Sequence, residues 1–288
     1  MERQRHPRPQ WLRIALIFLC VGVLFAALWY GADLIGQARQ GQEPPEGPPA
    51  APAEESDGLI PGLDRNEYDL EAFSWDGNYI VYDGAPPARR GIDVSAHQGI
   101  IDWAAVAADG VEYAMIRVGY RGYTEGVTSL DELFYDNVGG ARAQGLDVGV
   151  YFFSQAISVE EAVEEAEIVL RAIGGIDITY PIIYDWEDIQ QEARTDGMDP
   201  VTLTACARAF CETIEAAGYR AGIYFNQRLG YQEFDLVSLQ DYLFWLAQYA
   251  DAPDFAYDFE MWQYTNAGQV AGIEGDVDLN LSFWKPGE

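Results

Sequence analysis

Histidine is almost missing from this chain: of 288 residues, only His6 and His97 carry an imidazole. A His-rich zinc site cannot be built from so few. A Ser-His-Asp triad would rest on His97 alone, within Ser95-Ala96-His97-Gln98-Gly99, and is disfavoured. Cysteine is scarce too. Cys20 lies inside an apolar run and is followed by more apolar residues, which argues against a lipid-modified cysteine. Cys206 and Cys211 are five apart on an expected helix, so they point in different directions and no disulfide is expected. They read as helix core rather than as half of a Cys-His pair. Positive charge is the third shortage. Lys and Arg number 17 against 47 Asp and Glu, for a net charge of -30 and a pI near 4.1. Such a surface repels phosphate backbones and excludes nucleic acid as a partner. No Gly-rich phosphate loop is present, and no metal or other cofactor is implied.

The scarce arginines are unevenly placed. Arg3, Arg5, Arg8 and Arg13 precede or border a run from Ile14 to Tyr30 that has no charged residue. The spacing predicts a basic cytoplasmic tail over 1–11 and a membrane anchor over 12–32, with the rest of the chain outside. A cleaved signal segment is the rival reading and would make the protein secreted. The apolar core of a signal is usually ~7–15 residues, whereas this run is longer and ends in Leu28, Trp29 and Tyr30. Residues 33–62 hold Pro44, Pro45, Pro48, Pro49, Pro52 and Pro61 with no apolar period, and read as a linker. A lead-in over 63–88 contains an expected hairpin, Phe73 to Tyr82, turning at Asp76-Gly77.

From 89 to 286 short apolar runs alternate with helical stretches. The runs are Gly91–Ser95, Tyr113–Gly119, Val148–Ser154, Pro181–Glu187, Ala221–Asn226, Phe244–Tyr249, Glu260–Thr265 and Val277–Phe283. Ser158 to Ile173 is the clearest helix, capped by Ser158 and stopped at Gly174-Gly175. Pro200 to Ala217 is the next. The fold class expected is α/β, a parallel TIM-like (β/α) barrel of eight strands with short or missing late helices. A doubly wound sheet is the alternative.

What the chain has in plenty is carboxylate and aromatic side chains. Tyr184-Asp185-Trp186-Glu187 ends a strand, and alternation puts Asp185 and Glu187 on one face. Their repulsion raises one pKa and keeps a proton available near neutral pH, as a general acid for glycosidic cleavage requires. Taken alone, this reads first as a solvated strand end. Two further strands carry a lone acid: Asp93 in Gly91-Ile92-Asp93-Val94-Ser95, and Asp278, which shares a face with Asn280, in Val277-Asp278-Leu279-Asn280. Barrel sites gather at the C-terminal strand ends, and the first and last strands are neighbours in a closed barrel, so the four acids should converge. Asp102 and Asp276 read as helix-cap and loop residues. Tyr120, Tyr151, Phe153, Tyr224, Tyr249, Trp262 and Tyr264 fall near the same ends. They are candidates to pack against sugar rings, with core packing as the alternative. Trp262 and Tyr264 share a face and stand or fall together.

These segments, with His97-Gln98-Gly99, Ile101-Asp102-Trp103 and Trp262-Gln263-Tyr264, resemble glycoside hydrolase family 25, the Chalaropsis-type lysozymes or N-acetylmuramidases. The resemblance covers about Arg90 to Trp284. It implies an enzyme that hydrolyses the β-1,4 bond between N-acetylmuramic acid and N-acetylglucosamine, with peptidoglycan glycan strands as partner. It implies Glu187 as general acid/base, and Asp185 as the group that orients the substrate's own 2-acetamido group. Asp93 and Asp278 complete the acidic floor. Retention or inversion stays open, because it follows the carboxylate separation. Two departures stand out. Tyr151-Phe152-Phe153 lacks the histidine that many relatives carry beside the tyrosine, and no wall-binding repeats follow. Other readings are a chitinase-like hydrolase of N-acetylated glycans and a non-catalytic wall-binding module.

Overall fold

The structure, a computed structural model, describes residues 59–189 and 191–287. The expected tail, anchor and all but the end of the linker lie outside the described residues. Among the described residues no helix is long and apolar enough to cross a membrane.

The strands are β1 (Phe73–Asp76), β2 (Tyr79–Tyr82), β3 (Arg89–Val94), β4 (Tyr113–Arg121), β5 (Thr128–Leu130), β6 (Asp147–Ser154), β7 (Ile182–Trp186), β8 (Ala221–Asn226), β9 (Leu243–Ala247), β10 (Met261–Gly268) and β11 (Val277–Ser282). Neighbours run β3-β11-β10-β9-β8-β7-β6-β4, and β3 pairs with β4 to close an eight-stranded barrel. The eight runs expected from the sequence are its staves. β5 adds only to the edge of β4. Helices Phe134–Ala143, Val159–Ala172 and Pro200–Ala216 cover the outside. Their ends follow local chemistry. Ser158 accepts from the Glu161 amide, and Asp199 accepts from the amides of Val201 and Thr202 ahead of a first-turn proline. Asp102 caps Trp103–Ala108 as expected.

One expectation needs correction. The barrel is not wholly parallel: β11 runs antiparallel to both β10 and β3. The cause is the short connection at 269–276. A parallel crossover takes a dozen or more residues, so this segment can only reverse the chain. The reversal has a consequence for the site. Asp278, at the start of β11, is brought to the end of the barrel where the other strands finish, in register with Asp93.

Two cores result from strand alternation. Inside the barrel lie Tyr113, Met115, Ile183, Leu243, Trp245 and Met261. A larger shell between strands and helices holds Tyr184, Phe210, Trp262 and Tyr264 among others. Gly91 is required where it stands, because a Cβ there would run into the ring of Tyr113, which itself stacks on Tyr180 at 4.4 Å. The β1–β2 hairpin forms where expected, turning through Gly77 at a φ of 63°. It is no separate module. Phe73 meets Trp262 edge-on at 5.3 Å, and the Ile80 amide donates to the Tyr264 hydroxyl. The hairpin thus covers the outer face of β10, where no helix follows. Full burial of such side chains contributes about 1.5–3 kcal/mol each.

Candidate active site

The inward positions at the C-terminal ends of the parallel strands form the walls of one cleft of about 340 Å³. Asp93 enters from β3, Asp185 from β7 and Glu187 from just beyond it, and Asp278 from the reversed β11. All four acids singled out in the sequence face this space.

Asp93 is held by a lattice of neutral donors. Its Oδ2 accepts from Gln263 Nε2 at 2.9 Å and from Asn280 Nδ2 at 2.8 Å. Asn280 Oδ1 accepts in turn from Trp245 Nε1, and Gln263 Oε1 accepts from the hydroxyls of Tyr224 and Tyr249. Asp185 is different: its Oδ1 is buried and has no hydrogen-bond partner. Arg117, from the inner face of β4, is the cation that faces it, though its guanidinium is already paired with Asp131 at 2.8 Å. Glu187 is fixed through its main chain. Buried Gln155 donates from Nε2 to the Glu187 carbonyl at 3.0 Å, while its Oε1 accepts from Thr195. Arg194 clamps the same loop through two contacts to Glu161.

Every one of the four carboxyls is pushed up. Burial raises Asp93 to about 6, outweighing the Asn280 and Gln263 hydrogen bonds that draw it down. Burial, then repulsion from Asp93, raises Glu187 to about 6. Burial, then Asp93 and Glu187, raises Asp278 to about 8. Asp185 goes well above its usual range through burial, Glu187 and Asp93, against the pull of Arg117. The site therefore holds shared protons at neutral pH.

This arrangement costs stability in a defined window. Because the folded chain binds these protons more tightly than the unfolded chain, the favourable contribution is complete below about pH 4, the unfolded carboxylate range. It is lost as pH rises through about 6 to about 8. Glu165 and Glu260, each raised to about 7 by burial, act in the same direction. The Tm should fall between about pH 5 and about pH 8, and Asp278→Asn should flatten that fall. A Tm that climbs across this window would contradict the assignment.

The aromatic candidates separate into groups. Tyr151, Phe153, Tyr224 and Tyr249 line the cleft. Tyr120 instead lines a neighbouring depression. Asn280 is fully buried and reaches Asp93 rather than the cleft. Trp262 and Tyr264 do not face the cleft at all. They point outward into the shell under the β1–β2 hairpin, and the residue between them, Gln263, points in. Sequence reasoning missed Arg117, Gln263, Trp245 and Gln155. Arg117 had a signal, a lone charge inside an apolar strand. His97, set aside as a triad base, lies on the cleft wall near Ser95 and Gln98.

The glycosyl hydrolases family 25 model matches residues 92–273. The autolytic lysozyme of Clostridium acetobutylicum is 28% identical over 192 residues, which are 66% of this chain and 55% of that protein. Lysozyme M1 of Streptomyces globisporus is 27% identical over 204 residues, 66% of each chain. This chain thus spans between about half and two thirds of these relatives. The modular autolysin LytC from Streptococcus pneumoniae superimposes with a TM-score of 0.62 at 25% identity, covering 73% of this chain and 52% of that one. The bacterial lysozyme from Streptomyces coelicolor shares the fold, with a TM-score of 0.54 at 23% identity over 67% of this chain and 90% of that one. The family match spans more than half of the chain and takes in Asp93, Asp185 and Glu187, so the chain belongs to the glycosyl hydrolases family 25.

Proposed function

We propose that the protein hydrolyses the β-1,4 bond between N-acetylmuramic acid and N-acetylglucosamine in peptidoglycan, with Glu187 as general acid/base and Asp185 assisting the substrate's 2-acetamido group. The observation that carries this reading is the unpaired, buried Oδ1 of Asp185 in a cleft beside Glu187. A buried acceptor without a donor costs about 1–3 kcal/mol. The N–H of an acetamido group is a donor of the right kind and is present on every sugar of the proposed strand.

The proton inventory fits the same chemistry. An N–H reaching Asp185 favours its anion, and the proton moves to Glu187. Glu187 gives it to the glycosidic oxygen as the C1–O bond breaks, while the acetamido oxygen bonds to C1. Positive charge spreads over the ring and acetamido group beside Asp185, Asp93 and Asp278. Water then adds at C1, passing a proton to Glu187, and the bond from C1 to the acetamido oxygen breaks. Tyr151, Phe153, Tyr224 and Tyr249 supply ring faces along the cleft. The LytC structure was obtained in complex with a synthetic peptidoglycan ligand, which supports the same substrate class here.

The test is the identity of the new chain end. The full chain is incubated with purified peptidoglycan and, separately, with chitin, and the products are reduced with borohydride. Reduced muramic acid is the expected terminal sugar. Reduced glucosamine from peptidoglycan, or release from chitin alone, would transfer the activity to another N-acetylated glycan bond. Binding without new reducing ends would make the protein a wall-binding module.

A further inference from the structure

Four apolar or aromatic side chains that remain exposed belong to one small feature, the hairpin of β4 and β5. They are Tyr120 (38%), Tyr123 (37%), Val127 (66%) and Leu130 (48%). β5 contributes nothing to barrel closure, and its register, Gly119 to Leu130 and Tyr120 to Ser129, only extends the edge of β4 beyond the barrel mouth. Beside the hairpin lies a depression of about 580 Å³, larger than the cleft that holds the acids. His97, Arg117 and Phe153 line both, so the two adjoin.

The hairpin is also anchored more firmly than a surface flap needs. Arg121, only 4% exposed, donates to the Gly126 carbonyl in the hairpin loop at 2.8 Å, and the Arg194 amide donates to the Tyr123 carbonyl at 2.8 Å. Arg117 lies over the ring of Tyr120 at 5.4 Å, which orients that ring. Exposed aromatics on a braced backbone form a pre-organised surface, and pre-organisation lowers the entropic cost of binding. Half-exposed flat rings, with the nearby Arg117 charge already neutralised by Asp131, suit the C–H faces of neutral sugar rings better than an ionic partner. A glycan cut at one linkage must also lay its neighbouring sugars along whatever wall continues from the cleft.

We propose that the β4–β5 hairpin is a saccharide subsite that holds further sugar rings of the same glycan strand on Tyr120 and Tyr123, next to the cleavage point. The proposal rests on the reading of the cleft as a glycan-cleaving site, and it adds where the rest of the strand lies.

Stem-free glycan fragments of defined length test it. The wild-type chain should show a higher kcat/KM on an octasaccharide than on a tetrasaccharide. In a Tyr120→Ala/Tyr123→Ala variant the ratio of the two should fall by about tenfold, the loss of roughly one well-packed aromatic contact. The double Phe variant, which keeps both ring faces, should restore the ratio. Both side chains are partly exposed, so an unchanged Tm should accompany the Ala variant. An unchanged ratio in the Ala variant overturns the subsite. So does a loss seen only on strands carrying stem peptides, which would assign the hairpin to the peptide. A wild-type chain that cleaves no fragment and no peptidoglycan overturns the underlying reading instead.

Discussion

Replacing Glu187 by Gln is expected to lower kcat/KM on peptidoglycan by about 10³-fold or more while leaving the fold intact. General acid–base catalysis contributes about 10²–10⁴, and here one group is asked both to give and to take a proton. Gln keeps the size and the main-chain hydrogen bond from Gln155, which involves only the Glu187 carbonyl. It cannot carry the proton. In the proposed mechanism Glu187 works protonated and draws on the protons the buried acids share, so the wild-type rate should fall as pH rises through the range in which the site loses them, about 6 to about 8. The residual rate of the variant should lack that limb. The variant should also be more stable near neutral pH, since Glu187 is one of the charges that repel Asp278 and Asp185. Reducing-end kinetics across pH, with thermal unfolding of the same samples, measure all three. Full activity in the variant would remove Glu187 from the reaction whatever the substrate.

Strand parity made the centre of the site legible in the sequence. Alternation alone puts Asp185 and Glu187 together and sends Tyr184 and Trp186 to the helix side, and the barrel shows that division. Parity does not say which face is inside. For β10 the choice fell on two large aromatics, Trp262 and Tyr264, because sugar sites are rich in them. Those rings are the outer face, and a lead-in hairpin some 180 residues earlier in the chain covers them. No local pattern announces so distant a partner. The β11 reversal is a related case. Asp278 was expected at the acidic floor from ring closure, yet it lies at the start of its strand. In a parallel β11 it would have opened at the opposite end of the barrel. The short connection at 269–276 carried the information, through the length that a parallel crossover demands. Arg117 and Gln263 were missed for another reason. Each is a single polar residue in an apolar run, and its meaning comes from Asp131, Asp93 and Tyr224, which approach only after folding.

The largest loss of stability is expected away from the acids, at Glu165. This residue lies fully buried in the Val159–Ala172 helix, with Oε1 accepting from Arg121 Nε at 2.6 Å and Oε2 from Ser154 Oγ at 2.6 Å. Burial holds its carboxyl up at about 7, more than Ser154 and Arg121 draw it down, so desolvation outweighs attraction in this pair. The pair therefore adds no net stability as a unit, yet it is costly to break. Glu165→Ala leaves Arg121, 4% exposed, without its buried counter-charge and opens a void beside Ser154. Breaking a buried pair costs about 3–5 kcal/mol, a drop in Tm of roughly 6–20 °C for a domain of this size. Glu164 touches the same guanidinium at 2.8 Å from a side chain that is 55% exposed, and Glu164→Ala should cost at most about 1 kcal/mol. The double variant Arg121→Leu/Glu165→Leu should recover part of the loss, because no charge is then stranded. Arg121 also donates to the Gly126 carbonyl, so the single variant should loosen the β4–β5 hairpin before the barrel opens. Amide hydrogen exchange should then speed up at 122–130 ahead of β6 and β7, and unchanged exchange there with a Tm near wild type would show that the pair does not anchor the hairpin.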